Sequence, residues 1–109
     1  DGTCIRDYIH VQDLAVAHVK ALDFLLNNKV KEVFNVGTGT GLSVLDIVNG
    51  FQEANDLKVN YVIGARRSGD IEKIYSDGNK IKNILGWHAS RTTREALISA
   101  WNWQKSKNQ

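Results

Sequence analysis

The chain has 109 residues, 42% of them hydrophobic and 24% charged, and fourteen Lys+Arg against twelve Asp+Glu leave a net charge of +2. That is the composition of one soluble globular domain; it excludes a disordered chain, and so small a basic excess gives nucleic acid no footing as a partner. A single cysteine, Cys4, excludes an intrachain disulfide and a cysteine-rich zinc site, and no apolar run approaches the ~18 residues of a membrane span, so a reducing, cytoplasmic setting is expected.

Ile5, Tyr8, Ile9 and Val11 predict a strand over residues 5–11. Asp13 then offers an N-cap, and Leu14, Ala17, Ala21 and Leu25, widened by Leu22 and Leu26, predict an amphipathic helix over 13–27 that ends at Asn27-Asn28. Val33-Phe34-Asn35-Val36 reads as a second strand, followed by Gly37-Thr38-Gly39-Thr40-Gly41. Ser43 with Asp46 forms a short capping box for a second helix, whose buried face is Val44, Ile47, Val48, Phe51 and Ala54. Residues 59–63 alternate as a third strand, and 65–70 form a polar turn. Asp77 is the expected cap of a third helix through Ile81, Ile84 and Leu85, stopped by Gly86. Thr92 and Glu95 make a fuller capping box for a fourth helix bearing Leu97, Ala100 and Trp101, with a frayed polar tail from Lys105. The expectation is a small α/β unit with about three short, parallel strands and about four helices. Three strands are too few for a doubly wound sheet. The chain also opens Asp1-Gly2-Thr3 and lacks Met and Pro, so it is expected to be a processed protein or a piece of something longer.

Three motifs have possible chemistry. The glycine run follows a strand and precedes a helix, as a dinucleotide-binding loop does, but its third glycine comes one residue early and Leu42 stands in its place. Asp56 is the one acid near the expected ribose position, and no strand tip carries it. A tight loop needing positive φ is therefore the favoured reading over a nicotinamide site. Arg66-Arg67-Ser68-Gly69-Asp70 can present an arginine fork to phosphate and a carboxylate to a ribose diol; on spacing alone it is a solvated ion pair. Arg6 and Tyr8 alternate onto one strand face and suit a phosphate with an adjacent ring, or equally a salt-bridged arginine beside a core tyrosine. His10, His18 and His88 lack metal-ligand spacing, with His18 expected on a helix surface and His10 in packing or hydrogen bonding. Cys4 is read as inert, and Trp87, Trp101 and Trp103 as core or interface aromatics. Tyr8, Tyr61 and Tyr75 are followed four residues on by Gln12, Ala65 and Asn79, so no Tyr-x-x-x-Lys acid/base pair exists here.

In order and spacing, the segment from Asp1 to Val11, the run Phe34-Asn35-Val36-Gly37-Thr38-Gly39, the Arg66–Asp70 turn and the closing Trp101-Asn102-Trp103-Gln104 resemble the C-terminal portion of the UDP-glucose 4-epimerase family, extended short-chain dehydrogenase/reductases. The resemblance implies a UDP-sugar-binding domain over residues 1–105, a polar tail at 106–109, and an N-terminal Rossmann domain, absent here, that binds NAD and carries the catalytic Tyr-x-x-x-Lys with a Ser or Thr. By carry-over, Arg6 and Arg67 contact the diphosphate, Asp70 bonds the uridine ribose, Tyr8 and Val44 line the nucleotide pocket with the glycine loop as its frame, and Ile74 lies beside the hexose. Ile74 is of intermediate size, which puts UDP-glucose/galactose first and leaves N-acetylated sugars open. The family moves hydride from sugar C4 to NAD while tyrosine takes the hydroxyl proton. The 4-keto sugar then swings about the diphosphate and hydride returns to the other face. The isolated chain is thus expected to be inactive, the whole enzyme to be a homodimer, and the fragment to self-associate through Tyr8, Val36 or the tryptophans. Competing readings are a part of another nucleotide-sugar epimerase or dehydratase, a non-catalytic nucleotide-binding module, and a purely structural unit.

Overall fold

A computed structural model describes residues 2–28, 31–65 and 67–107. It contains β1 (Ile5–Arg6), α1 (Val11–Asn28), β2 (Leu42–Ser43), α2 (Val44–Asn55), α3 (Asn79–Leu85) and α4 (Thr93–Lys107). The four helices arise much as local chemistry dictates. Ser43 Oγ accepts from the Asp46 N–H at 2.9 Å while the Asp46 carboxylate accepts from the Ser43 N–H at 3.0 Å, the reciprocal pair of a capping box. Thr92 and Glu95 do the same at α4, at 3.1 and 3.3 Å. Gly86 ends α3 in the left-handed region at φ 69°, where a Cβ would be strained.

Three helix boundaries differ from expectation. α1 starts at Val11, because His10 Nδ1 accepts from the Gln12 N–H at 3.0 Å and takes the capping role expected of Asp13. Asp13 is thereby inside the helix, free to reach a distant segment. At α3 the N-cap is Gly78, and Asp77 accepts the Asn79 N–H at 3.0 Å from one position further out. The expected tail from Lys105 remains helical to Lys107.

The strands are shorter and differently paired. β1 keeps two residues of the expected seven and pairs with β2 antiparallel, Ile5 with Ser43 and Arg6 with Leu42. On its other side the Ile5 N–H donates to Glu72 O at 2.8 Å and the Ile74 N–H donates to Ile5 O at 2.9 Å, with one parallel bridge from Ile5 to Lys73. Residues 33–36 and 59–63 join no ladder, so the three-strand parallel sheet is replaced by two short antiparallel strands and a bridge. A strand is completed by a neighbouring backbone, and among the described residues these segments are met by side chains instead: Lys80 Nζ donates to Val33 O at 2.6 Å, Ser76 Oγ to Val36 O at 3.3 Å, and the Val59 N–H to Gln52 Oε1 at 2.8 Å. Val62 is 92% exposed in consequence.

Two small packing centres hold the chain together. Ala17 of α1, Ile81 of α3 and Trp87 form the first, flanked by Ile9, Phe34, Val36, Leu85 and Ala89. In the second, α2 packs on α4 with Phe51 edge-on to Trp101 at 5.7 Å. The remainder is open. The accessible surface is 7970 Å², against about 6,100 Å² for a compact monomer of this mass. The radius of gyration is 16.5 Å, where about 13 Å is usual for this length. Val11, Val19, Leu22 and Leu26 fall along the outer side of α1 and are exposed, although Leu22 and Leu26 were expected to widen the buried stripe. The bare apolar surface includes this helix face, the segment 61–63, Val33, Ile71 and Trp103. Tyr8, Val36 and Trp101 are half-buried and Trp87 is buried.

Candidate functional site

Period-two alternation in the extended segment 4–8 turns Cys4, Arg6 and Tyr8 to one side and Ile5 and Asp7 to the other. The first three line a cavity of about 250 Å³ together with Gly2, Val44, Ala65, Arg67 and Asp70. Five of the six residues singled out in the sequence thus converge: Arg6 and Tyr8 from the first extended segment, Val44 from the first turn of α2, and Arg67 and Asp70 from the polar turn. Arg66 lies outside the described residues. Ile74 does not line this cavity; its backbone is bonded to Ile5 while its side chain is exposed. Cys4 also lines it, which the same alternation that linked Arg6 to Tyr8 would have shown.

Arg6 Nη2 donates to Asp70 Oδ1 at 2.9 Å, and Arg6 Nη1 to the carbonyl of Ile5 at 2.8 Å. Arg67 Nη2 reaches the same Asp70 oxygen at 3.5 Å from a side chain that is 84% exposed. Cys4 Sγ stands 3.5 Å from the other oxygen. Burial pushes the Asp70 carboxyl up, but the Cys4 thiol and the charges of Arg67 and Arg6 outweigh it and hold Asp70 below the ordinary carboxylate value. The site therefore presents two guanidinium groups around one ionised carboxylate, one of them partly sheltered and one free to swing. Such a set can chelate a phosphate oxyanion and accept from a diol.

The glycine loop is differently occupied. The N–H groups of Thr38 and Gly39 donate to the Asp7 carboxylate at 2.8 and 2.9 Å, so the amides that would cradle a pyrophosphate are already committed. Asp56 is the left-handed C-cap of α2 at φ 50°, a helix stop away from any strand tip. These residues do not fit a dinucleotide. His18 is exposed, with Nδ1 2.8 Å from the Leu14 carbonyl, and no group of three or more His, Cys, Asp or Glu among the described residues could hold a metal ion. No helix among them is long and apolar enough to cross a membrane.

Known proteins resemble this chain in sequence and in fold. The family model described as NAD dependent epimerase/dehydratase family matches residues 1–37. The UDP-glucose 4-epimerase of Haemophilus influenzae is 48% identical over 106 residues, which are 97% of this chain and 31% of that protein. A UDP-glucose-4-epimerase structure from Stenotrophomonas maltophila, with bound NAD and formylated UDP-arabinopyranose, superposes with a TM-score of 0.93 at 40% identity over 99% of this chain and 32% of its own. One from Bifidobacterium longum, in complex with NAD+ and UDP, gives 0.85 at 40% identity over 97% and 31%. The chain thus spans about a third of the length of these relatives. Shared sequence and shared fold make this chain a homologue of one third of a UDP-glucose 4-epimerase, the family its motifs resemble.

Proposed function

We propose that this chain is the C-terminal, UDP-holding part of an NAD-dependent UDP-sugar 4-epimerase that interconverts UDP-glucose and UDP-galactose. The observation that carries the reading is the convergence of Arg6, Tyr8, Val44, Arg67 and Asp70 on one cavity from segments as far apart as residues 6 and 70. Ligand pockets commonly run from about 300 Å³ upward, so 250 Å³ suits part of a nucleotide and leaves the rest to another wall. The similar Bifidobacterium longum structure, solved with NAD+ and UDP, supports a UDP ligand for the enzyme.

In this reading Arg6 and Arg67 take the diphosphate oxygens. Arg6 exchanges its pairing with Asp70 for the more highly charged diphosphate, and Asp70 is released to accept from the uridine ribose. Tyr8 and Val44 wall the nucleotide, and Ile74 bounds the hexose beyond the cavity's end. NAD, together with the acid/base pair lacking here, belongs to the remainder of the enzyme. This chain holds the UDP still while the keto sugar turns, a contribution of position and not of bond-making.

Titration of the isotopically labelled chain with UDP, followed by NMR, tests the assignment. Saturable shifts at Arg6, Val44 and Asp70 that weaken about tenfold or more in Arg67→Ala are expected, as for loss of a charge-assisted phosphate contact. Dispersed spectra indifferent to UDP would overturn it, and turnover of UDP-galactose by the 109 residues with added NAD would overturn the non-catalytic role.

The open surface carries a second expectation. The excess of about 1,900 Å² over a compact monomer is more than twice the ~800 Å² that each partner contributes to a standard protein interface. Isolated, the chain is expected to self-associate through the outer face of α1 and residues 61–63. Sedimentation at high concentration should show dimers or larger species; a strict monomer would refute this.

A further inference from the structure

We infer that Asp7 is a positioning residue for the nucleotide cavity, setting Arg6 and Tyr8 through its hold on the glycine loop; the inference rests on the UDP reading. β1 ends at Arg6, so no ladder bond fixes the backbone at residues 7 and 8. Asp7 lies between the two cavity residues and its side chain leaves on the opposite side. There it accepts four hydrogen bonds: from Thr38 N–H at 2.8 Å, Thr38 Oγ1 at 2.7 Å, Gly39 N–H at 2.9 Å and Ser76 N–H at 3.2 Å. Two segments, 31 and 69 residues away, are thereby tied to one carboxylate.

The loop is shaped to this contact. A Cβ on Gly37 would stand 2.5 Å from Asp7 Oδ2 and 2.6 Å from Ser76 Oγ, so only glycine allows the approach. Thr38 Oγ1, while donating to Asp7, also accepts the Thr40 N–H at 3.1 Å and so folds the loop over the carboxylate. Rolling the extended segment about its axis would pull Asp7 off its donors. The donors therefore resist the one rotation that would carry Arg6 and Tyr8 out of the cavity. Burial pushes the Asp7 carboxyl up, yet the bonds from Thr38, Gly39 and Ser76 keep it below the ordinary carboxylate value, so the anchor remains ionised at neutral pH.

The test is the UDP dissociation constant of the folded chain in Thr38→Val, Thr38→Ser and Asp7→Asn, with the urea midpoint of each measured beside it. Positioning predicts UDP binding about fivefold weaker in Thr38→Val and about tenfold weaker in Asp7→Asn, with Thr38→Ser close to the unaltered chain because it keeps the hydroxyl donor. A merely structural bond would lower the midpoint and leave the affinity of the folded fraction unchanged. If the unaltered chain binds UDP and all three variants bind it equally well, the role of Asp7 is overturned while the UDP reading stands. If the unaltered chain does not bind UDP, the reading falls and the inference with it.

Discussion

Trp87→Ala is expected to destabilise the chain by about 3–5 kcal/mol, the usual cost of emptying a large aromatic site. Trp87 is 2% exposed and packs with Ala17 and Ile81, the other fully enclosed side chains of its centre. Its Nε1–H donates to the Asp13 carbonyl at 2.9 Å, which pins the segment after α3 to the first turn of α1. A domain of this length has about 5–15 kcal/mol to lose in all, and the core here is small, so the variant is expected to be largely unfolded at 37 °C. Trp87→Phe separates packing from hydrogen bonding: it keeps a ring and forfeits the N–H, a loss of about 1 kcal/mol for the bond itself. Urea unfolding followed by circular dichroism reads both. Equal losses in the two variants would show that the hydrogen bond, and not the packing, holds this centre.

Asp13→Ala is the second large effect, expected near 3 kcal/mol. The buried Asp13 carboxylate accepts from Arg91 Nη1 at 2.8 Å, from the Arg91 N–H at 2.9 Å, and from the N–H and Oγ of Ser90, each at 3.2 Å. Deleting it leaves a guanidinium and two backbone donors without their acceptor, and the capping residue Thr92 follows directly on this loop. Burial pushes the Asp13 carboxyl up, but the backbone N–H and guanidinium of Arg91 and the hydroxyl of Ser90 outweigh it and bring it below 3.8. A carboxyl depressed in the folded state contributes stability that is complete above its unfolded value and is lost as pH falls through the folded one. The intact chain should therefore lose stability on acidification below about pH 4, and Asp13→Asn should show a shallower loss across the same range. Parallel pH profiles would exclude Asp13 as the source.

How far each feature could be read from the chain depended on how far apart its partners lie. Ser43 with Asp46 and Thr92 with Glu95 complete their bonds within three residues, and Gly86 needs only its own φ, so these boundaries follow from local chemistry. Arg6, Tyr8, Arg67 and Asp70 were recognisable by residue type and by resemblance to a family. Their type alone favoured a solvated ion pair at Arg67 and Asp70 and left a salt-bridged Arg6 beside a core Tyr8 equally open; only the fold shows them sharing a cavity with Val44.

Other features were decided by tertiary structure. Asp13 looks like an N-cap in sequence because nothing local reveals Arg91, 78 residues on, as its partner. Asp7 drew no attention because its donors lie 31 and 69 residues away. Residues 59–63 have the alternation of a strand, yet alternation supplies only a face, while a strand also requires a neighbour to satisfy its backbone. The presence of the four helices, the capping boxes of α2 and α4 and the glycine stop of α3 were legible in the chain, since these rest on bonds between near neighbours. The pairing of β1, the network around Asp13 and the anchor at Asp7 were decided by the tertiary structure alone, because each joins groups that only the folded chain brings within bonding distance.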